Sequence, residues 1–238
     1  MISIIIPTLN EEKVLGKTIQ GLNRLTIPHE IIISDGKSTD KTREIAKQNG
    51  AKVVEYTGTK RQTISEGRNA GAVAASGEYL AFMDADCSMK DPDALFKRAL
   101  KHFEDPKLMG LVPWIRVLPE YATFWDKVIF YCLNSYFAFL NNVAHIAMSG
   151  GELQMMRHSD YIRVNGYNPN LVASEDVDML QRLAKGGRSF LDRELVVYHT
   201  GRRAHKTGWP KLLSLWVLNS IFMTFRKRAY SKEWEPIR

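Results

Sequence analysis

Short apolar runs alternate with amphipathic stretches of about a dozen residues through the first 83 positions. The runs predict strands, and the intervening stretches predict helices because apolar residues recur there at helical spacing, as Leu15, Ile19 and Leu22 do. Such alternation is typical of β-α-β units and predicts an α/β fold with a mostly parallel sheet flanked by helices. The predicted strands are 3–7, 30–35, 52–56 and 78–83, and the predicted helices are 11–25, 38–50 and 61–76.

The pattern changes after residue 108, where the predicted elements become longer and more aromatic. A strand over 108–118 precedes a long aromatic helix over 123–148. Ser174 is the predicted N-cap of a later helix that ends at a glycine. The remaining predicted elements are a strand over 149–157, that helix over 174–187, a strand over 194–200 and an apolar helix over 209–225.

Two helical segments, 128–140 and 212–225, are too apolar for an ordinary soluble surface. Fourteen helical residues reach only about 21 Å, which is short of the roughly 30 Å hydrocarbon core of a bilayer. We therefore expect helices that lie in the membrane interface, with Trp125, Trp209 and Trp216 at the level of the headgroups. A packing or dimer face is the alternative.

The net charge of +7 belongs to the C-terminal segment. Residues 202–238 contain nine Lys or Arg against two Glu, so residues 1–201 are neutral overall. A basic segment beside an apolar helix favours an anionic membrane surface, where Arg226, Lys227 and Arg228 would face the lipid. Nucleic-acid binders instead spread basic residues over one face, so no nucleic-acid partner is expected. The chain is thus predicted to comprise a folded domain over 1–201 and a membrane-associating tail.

Composition and cysteine usage indicate where the protein acts. The chain of 238 residues, with 45% hydrophobic and 25% charged residues, is typical of a folded protein with a full core. Its first residues enter a strand without a basic leader or cleavage site, so no signal peptide is expected. Cys87 and Cys132 form neither a disulfide framework nor a metal pattern. We expect a protein at the cytoplasmic side of the cell membrane.

Two carboxylates, Asp84 and Asp86, directly follow the apolar strand over 78–83. Side chains alternate along a strand, so both would point the same way, roughly 7 Å apart at Cβ. Like charges near a core resist ionisation unless a positive charge lies between them, and a divalent cation is one candidate. An ordinary strand-to-loop turn is the other interpretation. Polar residues also follow the strands ending at Pro7 and Asp35, and ligands bind at this edge of a parallel sheet.

Five segments in order resemble the family-2 glycosyltransferases: IIIPTLNEE, ISDGKSTDKT, GRNAGAVAASGEYLAFMDADC, the GG…R…GYNP stretch and SEDVDMLQRL. The resemblance covers roughly residues 1–200. It implies the Rossmann-like GT-A fold and metal-dependent, inverting transfer of a sugar from a nucleotide-diphosphate sugar. With helices at the membrane interface, the chain resembles dolichyl-phosphate mannose synthases and compact cellulose-synthase-like enzymes. GDP-mannose is therefore the first expected donor, and a lipid-linked molecule is the expected acceptor.

The resemblance also implies a role for each candidate residue. Asp176, with Glu175 beside it, would be the general base, and the dipole of its helix would favour the ionised form. Asp86 and His199 would hold Mn²⁺ or Mg²⁺ against the diphosphate. Asp84 would bind ribose or sugar hydroxyls. The residues expected to line the nucleotide or diphosphate site are Pro7, Thr8, Glu11, Asp35, Arg68 and Arg202, with Arg203 adjacent.

Each of these roles has a structural alternative. Asp35 has the alternative of a turn residue, Arg68 of a helix surface charge and Asp176 of ordinary N-terminal helix acidity. His199 has the alternative of a structural histidine at a strand end, and Arg202 that of a surface charge on the tail.

Three other functions compete with this interpretation. A UDP-sugar transferase with a soluble or polysaccharide acceptor and a non-catalytic nucleotide-sugar-binding membrane protein both stay open. A sugar nucleotidyltransferase would need a glycine-rich N-terminal signature that PTLNEEKVLGK lacks. Processive relatives carry a Gln-x-x-Arg-Trp motif beyond the acidic pair, and its absence from the sequence favours the addition of a single sugar.

Overall fold

The computed structural model describes residues 1–226, 230 and 231, which form one seven-stranded sheet with helices on both faces. The sheet has the order β3-β2-β1-β4-β6-β5-β7. The strands are β1 Ile2–Thr8, β2 His29–Asp35, β3 Lys52–Glu55, β4 Tyr79–Met83, β5 Leu108–Val117, β6 Leu153–Arg157 and β7 Arg188–His199. The helices are α1 Leu15–Leu22, α2 Thr42–Gln48, α3 Ile64–Val73, α4 Pro92–His102, α5 Phe124–Phe139, α6 His158–Arg163, α7 Glu175–Ala184, α8 Arg202–Thr207 and α9 Trp209–Arg226.

The predicted α/β fold with a mostly parallel sheet is confirmed, with one antiparallel insertion. Strands β1 to β4 pair in parallel, and so do β5 and β7. Strand β6 lies between β4 and β5 and is antiparallel to both. The sheet is therefore mixed at the point where its two parallel parts meet.

The alternating side chains of the central strand β1 build a separate core on each face. Ile4 and Ile6 pack with α1, α2 and α4 on one face. Ile5 packs with α3, α6 and α7 on the other. All three isoleucines have no exposed surface. This explains why β1 reads as a continuous apolar run rather than as alternation.

Several predicted boundaries were wrong, and three helices were missed. Helix α4 begins at a cap that the sequence displays, because the Asp91 side chain accepts from Ala94 N and Pro92 is the first helical residue. The short helices α6 and α8 carry little periodicity. Strand β7 begins at Arg188 rather than at residue 194, with a break in its register against β5.

Helix α5 begins where the sequence predicted but ends earlier. A capping box between Thr123 and Asp126 starts it. A π-helical turn, Leu140–Ala144, follows, and His145 at φ 55° ends it, so residues 145–148 are not helical.

The C-terminal helix is present, and its first turns pack against α5. Leu212 is buried, and the rings of Trp209 and Phe130 meet edge to face at 5.4 Å. Within the described part of the chain, no helix combines the length and the apolarity that crossing a membrane requires. The basic residues Lys227 and Arg228 of the predicted lipid contact lie outside the described residues. The predicted domain boundary at residue 201 stays a prediction.

The Asn134 side chain of α5 pairs with the backbone of β5 at a position where β5 has no neighbouring strand on that side. The β5–β6 ladder pairs only Leu111 with Met155, so Ile115 has no strand partner on that side. The buried Asn134 amide fills the gap: its oxygen accepts from Ile115 N at 2.9 Å, and its nitrogen donates to Ile115 O at 2.8 Å. Asn134 thus adds two hydrogen bonds to the apolar packing that holds α5 on the sheet.

We expect Asn134→Leu to lower the free energy of unfolding by about 2–4 kcal/mol. The substitution keeps a similar size but leaves the buried N–H and C=O groups of Ile115 unpaired, at about 1–3 kcal/mol each. Urea denaturation measures the change. The neighbouring Ser135→Ala is the control and should stay within about 0.5 kcal/mol. A loss below about 1 kcal/mol in Asn134→Leu would contradict this role.

Candidate active site

Two adjoining cavities open at the carboxyl ends of β1, β2 and β4. The first has a volume of about 390 Å³, and the second has a volume of about 500 Å³. Ile64, Asp84, Arg202 and Arg203 line both, so the cavities meet at these side chains. This is the edge of the sheet where the sequence predicted a polar site.

The first cavity is lined by predicted residues at the end of β1 and by three arginines. Pro7, Thr8 and Glu11 line it from β1 and the loop that follows. Arg61, Arg202 and Arg203 also line it. Guanidinium groups of this kind favour a phosphate-containing ligand.

Asp35 lies beneath the first cavity rather than in its wall. Its carboxylate has no exposed surface and accepts hydrogen bonds from Thr8 Oγ1 at 3.3 Å, from Ser38 N at 2.9 Å and from the Ser38 hydroxyl. The neighbouring Ser34 and Gly36 line the cavity. The structure thus shows Asp35 organising the turn, and its predicted place in the nucleotide site stays a prediction.

The two carboxylates after β4 are each held by an arginine. Arg68 Nη2 lies 3.5 Å from Asp84 Oδ1, and Arg202 Nε lies 3.3 Å from Asp86 Oδ2. Burial nevertheless raises the pKa of Asp84 to about 7, with Asp86 and Glu152 adding to the shift and Arg68 opposing it. The expected resistance of Asp84 to ionisation is therefore only partly relieved by Arg68.

Arg202 joins the two cavities. Its guanidinium donates to both oxygens of the buried Glu11 carboxylate, at 2.7 and 3.1 Å, while Nε faces Asp86. The side chain is 27% exposed. Arg202 is thus held between two carboxylates rather than extended into solvent, and its predicted contact with a diphosphate stays a prediction.

Asp86 and His199 are suited to hold a divalent cation. Asp86 accepts from the Thr200 hydroxyl, and His199 Nδ1 accepts from Gly201 N at 3.4 Å. His199 Nε2 is buried and has no hydrogen-bond partner. Burial lowers the pKa of His199, against the opposing charges of Asp86 and Asp84, so the ring is neutral. While Nδ1 accepts from Gly201 N, the ring proton is on Nε2, so a metal binds Nε2 only in the other tautomer, in which this long hydrogen bond is given up.

The protein alone does not complete a metal site. In the part of the chain that the structure describes, no three His, Cys, Asp or Glu side chains are grouped to hold an ion. A cation between Asp86 and His199 would therefore take its other ligands from water and substrate phosphate oxygens, as Mg²⁺ sites commonly do.

Arg68 is buried at the floor of the second cavity. It is 1% exposed and donates to Glu175 Oε1 at 2.8 Å and to Gly151 O at 3.2 Å, with its guanidinium 5.1 Å from the ring centre of Tyr167. It lines the second cavity and not the first. The alternative of a helix surface charge is wrong, and the observed contacts link Asp84 to Glu175.

Asp176 lies in the first turn of α7, where its backbone is fixed by a buried network. Gln154 Nε2 donates to Asp176 O at 2.9 Å, and Tyr167 Oη donates to Gln154 Oε1 at 2.6 Å. Burial and the charge of Glu175 raise the pKa of Asp176, although Arg68 and a backbone hydrogen bond from Val177 oppose the shift. The expected effect of the helix dipole is therefore outweighed.

Ser174 occupies the predicted N-cap position of α7 in an unexpected conformation. Its φ is 58°, in the left-handed region, and its side chain makes no capping bond. A non-glycine residue held there at a cavity wall is a form of local strain often found at functional sites.

Glu152 belongs to the site and was missed by the sequence analysis. It lines the second cavity, and burial raises the pKa of its carboxyl to about 7, with Asp86 adding to the shift. Asp84 N donates to Glu152 O at 3.1 Å, so the two residues are neighbours across β4 and β6. Only the non-sequential order of the sheet reveals this neighbourhood; the local signal was the Gly-Gly pair that precedes Glu152.

The outer wall of the second cavity is apolar. Helices α5 and α9 supply it, opposite the carboxylates. Its apolar side chains include Phe130, Leu133, Phe137, Leu212, Leu213 and Trp216. The second cavity is therefore lined by ionisable side chains from the sheet and α7 and by a set of apolar side chains from α5 and α9.

Comparisons with known proteins identify the family that this chain resembles in sequence. Residues 3–161 match the family model described as Glycosyl transferase family 2. A 4,4'-diaponeurosporenoate glycosyltransferase of Staphylococcus haemolyticus is 30% identical over 175 residues, which are 70% of this chain and 46% of the relative.

A second relative shares a shorter segment. The dolichyl N-acetyl-alpha-D-glucosaminyl phosphate 3-beta-D-2,3-diacetamido-2,3-dideoxy-beta-D-glucuronosyltransferase of Methanococcus voltae is 35% identical over 132 residues, which are 50% of this chain and 40% of the relative. The chain thus spans less than half the length of these two curated relatives.

Solved structures share the fold at low sequence identity. A mannosyltransferase of Pyrobaculum calidifontis, in complex with GDP-Man and Mn²⁺, has a TM-score of 0.74 at 18% identity, covering 94% of this chain and 64% of that one. TarS of S. aureus, residues 1–349 with UDP-GlcNAc, has a TM-score of 0.65 at 18% identity, covering 83% and 57%. These likenesses show the fold.

We expect the free energy of unfolding of Glu152→Gln to fall less with rising pH than that of wild type. A folded-state pKa raised to about 7 means that the native carboxyl holds a proton that the unfolded chain releases at lower pH. Stability is therefore lost as pH rises from about 4.5 through 7. Between pH 5 and pH 8, the free energy of unfolding of the variant should fall by about 1–3 kcal/mol less than that of wild type.

Urea denaturation at both pH values checks this expectation. Glu78→Gln removes an exposed carboxylate at the other end of β4 and should follow wild type. Parallel pH profiles for wild type and Glu152→Gln would refute the raised pKa.

Proposed function

Since this chain belongs to glycosyl transferase family 2, we propose that it transfers one sugar from a nucleotide-diphosphate sugar to a lipid-linked acceptor at a membrane surface, with inversion at the anomeric carbon. The observation that carries the proposal is the junction of the two cavities. The first cavity, which three arginines line, meets the more apolar second cavity at Asp84, and Asp176 lines the second cavity.

The first cavity is proposed to bind the nucleotide diphosphate. Arg61, Arg202 and Arg203 supply positive charge for its phosphates. Asp86 and His199 would hold Mn²⁺ or Mg²⁺. When bound, this cation acts as a Lewis acid and stabilises the charge of the departing diphosphate. The unpaired His199 Nε2 beside a carboxylate supports this assignment.

Asp176 is proposed as the general base. An acceptor hydroxyl in the second cavity must lose its proton as it attacks the anomeric carbon, and a carboxylate with a raised pKa is a stronger base than an ordinary one. Arg68 holds the adjacent Glu175 at 2.8 Å, so the negative charge beside the base is partly neutralised. One base and direct displacement give inversion.

GDP-mannose is the first candidate donor, which would make the protein a mannosyltransferase. The resemblance to dolichyl-phosphate mannose synthases and the Pyrobaculum mannosyltransferase bound to GDP-Man support it. The UDP-GlcNAc complex of TarS keeps a UDP-sugar, including a glucosyl donor, as the alternative.

A lipid-linked acceptor is supported by the apolar wall that α5 and α9 give the second cavity. The Methanococcus relative is named for a dolichyl-linked sugar phosphate. A beta-monoglucosyldiacylglycerol synthase of Synechocystis, 26% identical over 193 residues, is named for a diacylglycerol; the match covers 76% of this chain and 40% of that one.

The outward side of α5 is proposed to contact the membrane at its cytoplasmic surface. We call Phe124, Trp125, Tyr131, Tyr136 and Phe139 the aromatic face; each is 55–70% exposed. Exposed aromatic residues in such number are typical of an interface with lipid or protein. The basic residues of 202–238 favour an anionic leaflet.

Asp176→Asn should lower transfer at least about 100-fold while donor binding is retained, because only the proton acceptor is lost. Asp86→Ala should instead weaken binding of the donor in the presence of Mn²⁺ and leave metal-free binding unchanged. Calorimetry with GDP-mannose, UDP-glucose and UDP-GlcNAc, with and without Mn²⁺, measures binding. Transfer of labelled sugar to a polyprenyl phosphate measures activity. Full transfer by Asp176→Asn would refute the mechanism.

Replacing Trp125, Tyr131 and Phe139 together by Gln should lower binding to vesicles about tenfold or more, because apolar area no longer leaves water. Co-sedimentation with phosphatidylcholine vesicles, with and without phosphatidylglycerol, measures it. The matched control replaces Val73 and Ile162, which are 90% and 62% exposed on other helices. Equal vesicle binding by the two variants would contradict a membrane role. So would wild-type protein that forms a dimer and does not co-sediment with vesicles.

A further inference from the structure

The buried polar atoms without a hydrogen-bond partner lie at the two cavities. Among the described residues these side-chain atoms are Ser34 Oγ, Arg68 Nε, Glu152 Oε2 and His199 Nε2. Ser34 lines the first cavity, and the other three line the second. Native proteins leave few such atoms unpaired, so their concentration here indicates groups that pair with a ligand.

Each atom requires a different partner. His199 Nε2 suits a cation, and Arg68 Nε is a donor that requires an acceptor. Glu152 Oε2 is a carboxyl oxygen: ionised, it only accepts hydrogen bonds, and protonated, it can also donate one. A sugar hydroxyl both donates and accepts, so it can pair with this oxygen in either state.

Glu152 lies between the proposed diphosphate site and the proposed base. Strands β4 and β6 pair Met83 with Leu153, and Asp84 N donates to Glu152 O. The charge of Glu152 also contributes to the raised pKa of Asp84 and of Asp176, so its carboxylate is near both. A sugar attached to a diphosphate in the first cavity and attacked from the second must occupy this interval.

The backbone before Glu152 leaves room for its carboxylate. A Cβ added at Gly150 would lie 2.4 Å from Glu152 Oε2 and 2.6 Å from Ile115 Cδ1. A side chain at position 150 would therefore displace the carboxylate. The lack of a side chain at Gly150 is therefore required for the observed position of the Glu152 carboxylate.

We propose that Glu152 is a specificity-determining residue that accepts a hydrogen bond from a hydroxyl of the transferred sugar. The inference rests on the proposed function and adds a contact to the sugar rather than to the nucleotide or the lipid. A site built to bind a hydroxyl discriminates strongly against sugars that lack it, because the buried acceptor is then left unpaired.

The test separates sugar binding from nucleotide binding. Calorimetry with Mn²⁺ compares GDP-mannose with GDP, and UDP-glucose and UDP-GlcNAc with UDP, for the wild-type chain, Glu152→Ala and Glu152→Gln. For the donor that wild type prefers, Glu152→Ala should lower the affinity about 10- to 100-fold, as expected for a lost hydrogen bond to a charged group. Glu152→Gln should lie between, and affinity for the nucleoside diphosphate should change less than twofold.

Two further variants sharpen the comparison. Gly150→Ala keeps the carboxylate but displaces it, so it should weaken nucleotide-sugar binding while sparing the nucleoside diphosphate. Glu78→Gln should match wild type for every ligand.

Three outcomes would overturn the inference. Equal losses for nucleotide sugar and nucleoside diphosphate would mean that Glu152 only supports the fold. Unchanged donor binding with a raised KM for the lipid acceptor would place the carboxylate on the acceptor. Wild-type protein that binds no nucleotide sugar would refute the proposed function and the inference with it.

Discussion

The pairing of Arg68 with Glu175 is the interaction on which the rest of the site depends. The guanidinium is 1% exposed and also contacts Asp84 and the carbonyl of Gly151, so it joins α3, β4, the entrance to β6 and α7. Removing one partner of a buried ion pair costs about 3–5 kcal/mol because the other charge stays uncompensated. Arg68 therefore stabilises the close approach of Asp84 and Glu175 in the second cavity.

Neutralisation by protein cations is nevertheless incomplete, and this gives the site its chemistry. Arg68 and Arg202 face Asp84, Glu175, Glu11 and Asp86, but the pKa of Asp84 remains raised to about 7. A cation bound by Asp86 would lower the pKa of the Asp84 carboxyl, and hydroxyl groups of a bound ligand would donate hydrogen bonds to its oxygens. Donor binding and the protonation of the site are therefore linked, whatever the sugar.

Local patterns predicted the elements, whereas the site depends on contacts that local patterns do not contain. The positions of Asp84, Asp86 and Asp176 at element ends were predictable because strand and helix boundaries are read from neighbouring residues. The insertion of antiparallel β6 beside β4 was not, and it places Glu152 at the site. The burial of Arg68 was likewise unpredictable, since its partner Glu175 is 107 positions away. Helix α4, by contrast, could have been found from its Asp-Pro start.

The apolar helices α5 and α9 are in direct contact with residues of the candidate active site. Phe130 packs edge to face against His199 at 5.0 Å and against Trp209 at 5.4 Å, so one ring on α5 touches both the proposed metal ligand and the first residue of α9. Asp126 accepts hydrogen bonds from His205 at 2.8 Å and from Trp209 at 2.9 Å, which holds α8 and α9 to the first turn of α5. Helix α8 in turn carries Arg202. A shift of α5 or α9 at a lipid surface would therefore move the side chains that line the first cavity, because packed interiors transmit displacement rather than absorb it.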